Sequence, residues 1–110
     1  MHITLLKKVD IMQERQYNSS MIANKTQEAL IILQEECAEV IQAASKIYRF
    51  GLDNAHKSGS TQRANLEMEI GDMLALVDIL VEQGVIDLNN ITAANANKKE
   101  KLKVWSKLYE

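Results

Sequence analysis

The stretch "LQEECAEVIQAASKIYRFG", residues 33–51, decides the fold. Its apolar residues recur at helical spacing, and at about 100° per residue they fall on one side of a helix. Leu30, Leu33, Cys37, Val40, Ile41, Ala44 and Tyr48 form that stripe. Glu36 lies at its edge, and Glu39 is about 60° further round. Ile32 stands four residues before Glu36 and Ala43 four after Glu39, and Ile47 continues the same side. An apolar sector therefore runs past these two carboxylates at both ends. Glu35 points further away and reads as a solvated charge.

Working outward, the helix is expected from about Met21 to Tyr48, with Gly51 as its stop. The chain has no proline and four glycines, which favours helix throughout. Residues 3–16 read as an earlier helix, with Ile3, Leu6 and Val9 along one stripe, and "YNSS" (17–20) supplies break and cap residues. Residues 52–65 are polar and turn-rich and form the main loop. Ser60 or Thr61 caps a third helix that continues to Gln83 and stops at Gly84. Asp87 or Asn89 caps a fourth, from about Leu88 to Leu108. No stretch alternates with period two, so no sheet is expected.

One all-α domain over residues 1–110 follows. A lone chain of this size buries roughly two thirds of its unfolded surface, so wide apolar helix faces favour an oligomer. The net charge of −2, from 13 basic and 15 acidic residues, gives no electrostatic reason to bind a nucleic acid polymer or an anionic membrane. No apolar run reaches membrane-spanning length. The single cysteine excludes an internal disulfide, and with no targeting segment evident the expected location is the cytoplasm.

The stretch "LEMEIGDMLALVDIL", residues 66–80, repeats the anomaly. Leu66, Ile70, Met73, Val77, Leu80 and Val81 make a core stripe, and Glu67, Gly71, Asp78 and Glu82 make a polar face. Glu69 and Asp72 lie on the apolar side of that division. A carboxylate taken out of water must be paired, protonated or bound to metal. The i,i+3 spacing makes Glu36 and Glu39 neighbours on one helix surface, and likewise Glu69 and Asp72. Two such pairs on packed antiparallel helices would gather four like charges, which repel without cations. Oxygen-only ligands favour Mg²⁺ or Mn²⁺. A helical di-iron site needs Glu-x-x-His pairs, which His2 and His56 do not supply. A single Glu-x-x-Glu is usually solvated; the second pair and its apolar setting are what single this one out.

The pattern Glu35-Glu36-x-x-Glu39, a loop, then Glu69-x-x-Asp72 resembles the MazG-like family of all-α nucleoside triphosphate pyrophosphohydrolases. The resemblance covers roughly residues 25–105, and the strings "EECAEVIQAASKIYRFG" and "EIGDMLALVDIL" look like the small phage and bacterial members. The 29 residues between Glu39 and Glu69 are towards the long end for the family. The resemblance implies a four-helix bundle completed by oligomerisation, as homodimer or homotetramer. It implies Mg²⁺ held by Glu36, Glu39, Glu69 and Asp72, with Mn²⁺ as an alternative. It implies cleavage of a nucleoside triphosphate between the α and β phosphates, giving the monophosphate and pyrophosphate. Glu35 matches the first glutamate of the motif, in a catalytic role with Glu36, either orienting a ligand or assisting the attacking water.

Basic groups would help to hold the phosphates. Lys46 lies seven residues after Glu39, along the same helix side, and Arg49 follows about one turn later. The bland alternative for both is a solvated charge or a salt bridge. In "NANKKEKLKVW", residues 95–105, Asn95, Lys98 and Lys101 share one face and resemble the family's C-terminal Asn and Lys cluster, with Lys99 and Lys103 competing for the role. A solvated basic face is the alternative there. Cys37 reads as core packing, Trp105 as core or interface rather than a base-stacking platform, and His56 as exposed. The loop tip "KSGST" either closes over substrate or packs on a partner. Two rival functions remain: a phosphoribosyl-ATP pyrophosphohydrolase, whose usual histidine-rich context is missing here, and a non-catalytic helical interaction module.

Overall fold

A computed structural model of the chain describes residues 24–55 and 59–110. Three helices carry the described chain: α1 (Asn24–Phe50), α2 (Gln62–Glu82) and α3 (Leu88–Trp105). The described residues contain no strand, only an isolated antiparallel bridge between Ala55 and Thr61. The all-helical expectation holds. The expected helix over 3–16, its "YNSS" break, the start at Met21 and His56 lie outside the described residues.

The helix ends follow local chemistry. α1 runs two residues past the expected Tyr48 and stops where Gly51 takes φ +88°, a left-handed conformation that glycine reaches without penalty. The Gly51 amide donates to the Ile47 carbonyl at 2.8 Å, and the Asn54 amide group donates to the Phe50 carbonyl, so the last turn keeps its partners. The loop then folds back on the next helix. The Gln62 and Arg63 amides donate to the Asn54 and Leu52 carbonyls, and the Arg63 guanidinium pairs with both oxygens of Asp53 at 3.2 and 3.3 Å. Thr61 is the N-cap of α2, its hydroxyl accepting from the Ala64 amide, so α2 begins within the stretch expected to be loop up to residue 65. Gly84, at φ +73°, follows the end of α2. Asp87 caps α3 through the Asn89 amide at 2.7 Å. α3 ends at Trp105, three residues short of the expected Leu108, because the Ser106 backbone turns extended.

α1 and α2 pack against each other as antiparallel neighbours. Ala29 and Ile32 of α1 meet Leu76 and Leu80 of α2, and Leu30, Leu33 and Ile86 pack at the margin. The contact line on α1 thus runs along Ala29, Ile32, Glu36 and Ala43, about a quarter turn from the apolar stripe. This corrects the expected core. Cys37, Ile41, Ala44 and Tyr48 are exposed in the single chain, and Cys37 is not a packing residue. Glu35 is corrected too: it is buried, on a ridge with Ile31 and Gln27 one and two turns before it. A helical wheel locates apolar side chains but not the neighbour that covers them. On α2 the expected stripe holds better, with Leu80 1% exposed and Leu66, Ile70, Met73, Val77 and Val81 half-buried. α3 buries no residue, and Trp105, 81% exposed, is not part of a core within the chain.

Candidate metal centre between α1 and α2

The antiparallel pairing puts the two acidic motifs face to face. Stepping four residues forward along α1, from Ile32 to Glu36, matches four residues back along α2, from Leu76 to Asp72. The packed core thereby fixes the level at which the carboxylates meet. Glu36, Glu69 and Asp72 each offer a carboxylate oxygen, and these oxygens lie within 4.8 Å of one another. The three are graded in exposure: Glu36 is buried, Glu69 half-buried, and Asp72 exposed. The sequence expectation had put Asp72 out of water. It stands instead at the open lip of the groove, because that part of α2 faces solvent beyond the contact line.

The electrostatics of the cluster are unfavourable to the bare protein. Burial pushes the Glu36 carboxyl above the ordinary carboxylate range, and the negative charges of Asp72, Glu35 and Glu39 push it the same way. Burial also raises Glu69, and Glu39, Asp72 and Glu36 add to the rise. Glu39, half-buried, is therefore close enough to act on Glu69 although its oxygens lie outside the tightest group. Carboxylates gathered along one groove make each other costlier to ionise, and a cation bound there would relieve that cost.

The donor set suits a hard divalent ion. All candidate ligands are carboxylate oxygens, and Mg²⁺ binds such oxygens at about 2.0–2.1 Å. Two ligands of one Mg²⁺ are then at most about 4.2 Å apart, so the present spread needs to close by roughly half an ångström. Side-chain rotation supplies that without moving either helix. Exposed Asp72 leaves an open side for water and substrate.

The other candidate residues are placed unevenly. Lys46 is half-buried on the groove side of α1, two turns beyond Glu39. Arg49 is exposed at the end of α1, with its guanidinium 5.2 Å from the Phe50 ring centre. Asn95, Lys98 and Lys101 are exposed on α3, which does not pack on the α1–α2 pair, so the chain alone does not bring them to the acidic cluster. Sequence reasoning missed the burial of Glu35. It also missed the buried amides Gln62 and Asn65 on the face of α2 that carries Glu69. Their i,i+4 and i,i+7 spacing to Glu69 was the available signal.

No described helix is long and apolar enough to cross a membrane. Comparison with curated proteins and with solved structures gives no match. Comparison with protein families gives the MazG nucleotide pyrophosphohydrolase domain over residues 24–103, a span that runs from the first residue of α1 nearly to the end of α3 and contains both acidic motifs. With nearly three quarters of its length matched, the chain belongs to the MazG nucleotide pyrophosphohydrolase domain family.

Proposed function

We propose that the protein is a Mg²⁺-dependent nucleoside triphosphate pyrophosphohydrolase. It cleaves a (deoxy)nucleoside triphosphate between the α and β phosphates, with the whole chain, 1–110, acting as one domain of a cytoplasmic homo-oligomer. The observation that carries this reading is the convergence of Glu36, Glu69 and Asp72 oxygens within 4.8 Å, on two motifs that the packing of α1 against α2 holds in register.

Glu36, Glu39, Glu69 and Asp72 hold the metal, with Mn²⁺ able to replace Mg²⁺ at an all-oxygen site. When bound, the cation neutralises charge building on the leaving pyrophosphate and makes a bound water more acidic. Glu35 is buried one residue before Glu36 and positions it, or accepts the proton of the attacking water. Its burial supports such a role better than a solvated charge would. Lys46 and Arg49 extend along α1 from the acidic cluster and meet the phosphate chain, joined by Asn95, Lys98 and Lys101. No serine or cysteine nucleophile is required, and exposed Cys37 takes no part.

The deciding experiment offers ribo- and deoxyribonucleoside triphosphates, unmodified and modified, with and without Mg²⁺, and scores pyrophosphate against orthophosphate. Pyrophosphate release that stops on chelation is the expected result. Release of orthophosphate, or turnover that survives chelation, refutes the proposal.

A further inference from the structure

The α1–α2 pair is held differently at its two ends. At one end Ala29 and Ile32 press on Leu76 and Leu80. At the other, the stepping that sets Glu36 beside Asp72 brings Asn65 to the level of Ala43 and Gln62 to that of Lys46. The buried residues there are one alanine and two carboxamides, Ala43, Gln62 and Asn65. An alanine buries little apolar area, so hydrophobic packing scarcely holds that end. The acidic motifs lie between the two ends, and their like charges push the helices apart.

The connection between the helices opposes that push. Covalent linkage alone does not, since residues 51–61 would reach across about 36 Å if extended. Hydrogen bonds do. Asn54 joins both helix ends: its side-chain amide donates to the Phe50 carbonyl that closes α1, and its own carbonyl accepts from the Gln62 amide that opens α2, at 3.0 Å. The Leu52 carbonyl accepts from the Arg63 amide at 2.8 Å. Both bonds satisfy amides that a helix N-terminus otherwise leaves open. The Gln62 side chain adds a third tie, its Nε2 donating to the Ala55 carbonyl at 3.1 Å. The Asp53–Arg63 ion pair is exposed and adds little.

Stability alone does not account for Gln62. It is 4% exposed, and turning its Nε2 to a carbonyl leaves its Oε1 buried with no partner among the described residues. An apolar side chain of the same shape would remove that orphan oxygen at little cost or with a gain. What the carboxamide supplies is the tie to Ala55. Gln62 also stands seven residues before Glu69 on the same face of α2, so a splay at Gln62 carries along the helix to the acids.

We infer that Asn54 and Gln62 clamp the weakly packed end of the α1–α2 pair, and that Gln62 is a positioning residue that keeps Glu69 and Asp72 close enough to Glu36 to share a cation. The inference rests on the metal-binding part of the pyrophosphohydrolase reading.

The test measures Mg²⁺ binding by calorimetry on the substrate-free protein, beside its melting temperature in a chelator. Gln62→Leu keeps the volume and removes the tie. It is expected to bind Mg²⁺ about 10-fold more weakly, the lower end of what loss of a ligand-orienting group costs. Its melting temperature in chelator is expected not to fall, because opening the clamp relieves repulsion and the orphan oxygen is gone. Asn54→Ala, at an exposed position off the seam, is expected to weaken Mg²⁺ binding in the same direction, and it carries the test if Gln62→Leu does not fold. Mg²⁺ affinity unchanged in the folded variants overturns the inference, whatever the melting temperature does. So does a wild type that binds no Mg²⁺. Pyrophosphate release, scored separately, distinguishes the two readings: a wild type that binds Mg²⁺ but releases no pyrophosphate overturns the assigned reaction and leaves the clamp standing.

Discussion

The two long faces of α1 invert the usual relation between polarity and burial. On one, Glu35 and Glu36 are 4% and 3% exposed; on the other, Ile41 and Tyr48 are 70% and 95% exposed. A helix that served only its own chain would be turned the other way, with the apolar stripe on α2 and the carboxylates in water. Each anomaly points to something outside the chain. Buried like charges call for a cation, and a bare apolar stripe calls for protein. The same helix thus turns its carboxylates towards α2 and its apolar stripe away from it.

The carboxylate face carries the largest expected effect. Glu69→Gln or Asp72→Asn should lower Mg²⁺-dependent pyrophosphate release by on the order of 100-fold or more, comparable to removing an electrostatic group from a transition state. Far-ultraviolet circular dichroism should be unchanged, because neither side chain belongs to the packed core of Ala29, Ile32, Leu76 and Leu80. If both variants turn over substrate at the wild-type rate, the buried charges need another explanation.

The apolar face comes next. Placing a charge on it, by Ile41→Asp or Tyr48→Asp, should weaken self-association by about 10-fold or more, as for loss of a central interface contact. Sedimentation velocity reads the shift. Both positions are exposed in the single chain, so the α1–α2 pair should keep its fold. A change in helicity without a change in association would assign these residues to the folding of the chain.

How much of this was legible in the sequence follows from the same two faces. Periodicity gave the helices, and glycines and capping residues gave their ends: Gly51, Thr61, Gly84 and Asp87 each act locally and needed no tertiary knowledge. The pairs Glu36/Glu39 and Glu69/Asp72 were visible as charges out of place. The orientation of α1 was not visible, because it depends on where Leu76 and Leu80 press. A stripe containing Cys37, Ile41 and Tyr48 looks like a core to a wheel, whether a helix of the same chain or of another covers it. Glu35 was misread for the same reason. The lysines of α3 were legible as a run of basic residues on one helix, but the separation of that helix from the α1–α2 pair depends on the short connection at 83–87 rather than on its composition.

A smaller effect tests exposure on the assembly face. Cys37 lies on the stripe between Leu33 and Ile41 and is exposed in the single chain. In an oligomer built on that stripe, thiol reagents should modify it slowly, and the rate should rise several-fold in the Ile41→Asp variant. Equal rates in the two proteins would move the interface off this side of α1.

The smallest expected effect, and the one that joins charge to stability, is the pH dependence of the metal-free protein. Glu36 and Glu69 are both raised above the ordinary glutamate value of 4.5, by burial first and by neighbouring carboxylates after it. A raised carboxyl binds its proton more tightly in the folded chain than in the unfolded one. Folding is therefore favoured while both groups are protonated, and that advantage is lost as pH climbs from about 4.5 through the raised values. The metal-free protein should thus lose a few degrees of melting temperature over this range, where a protein with paired carboxylates would gain. Glu36→Gln or Glu69→Gln should flatten the decline and raise the melting temperature at pH 7 in the presence of a chelator. Mg²⁺ should stabilise the wild type most at neutral pH, where the carboxylates are charged, and either glutamine variant less. A wild-type protein whose melting temperature ignores both pH and Mg²⁺ would mean that the charges on the inner face of α1 relax into solvent without cost. The contrast between the two faces would then be one of shape alone.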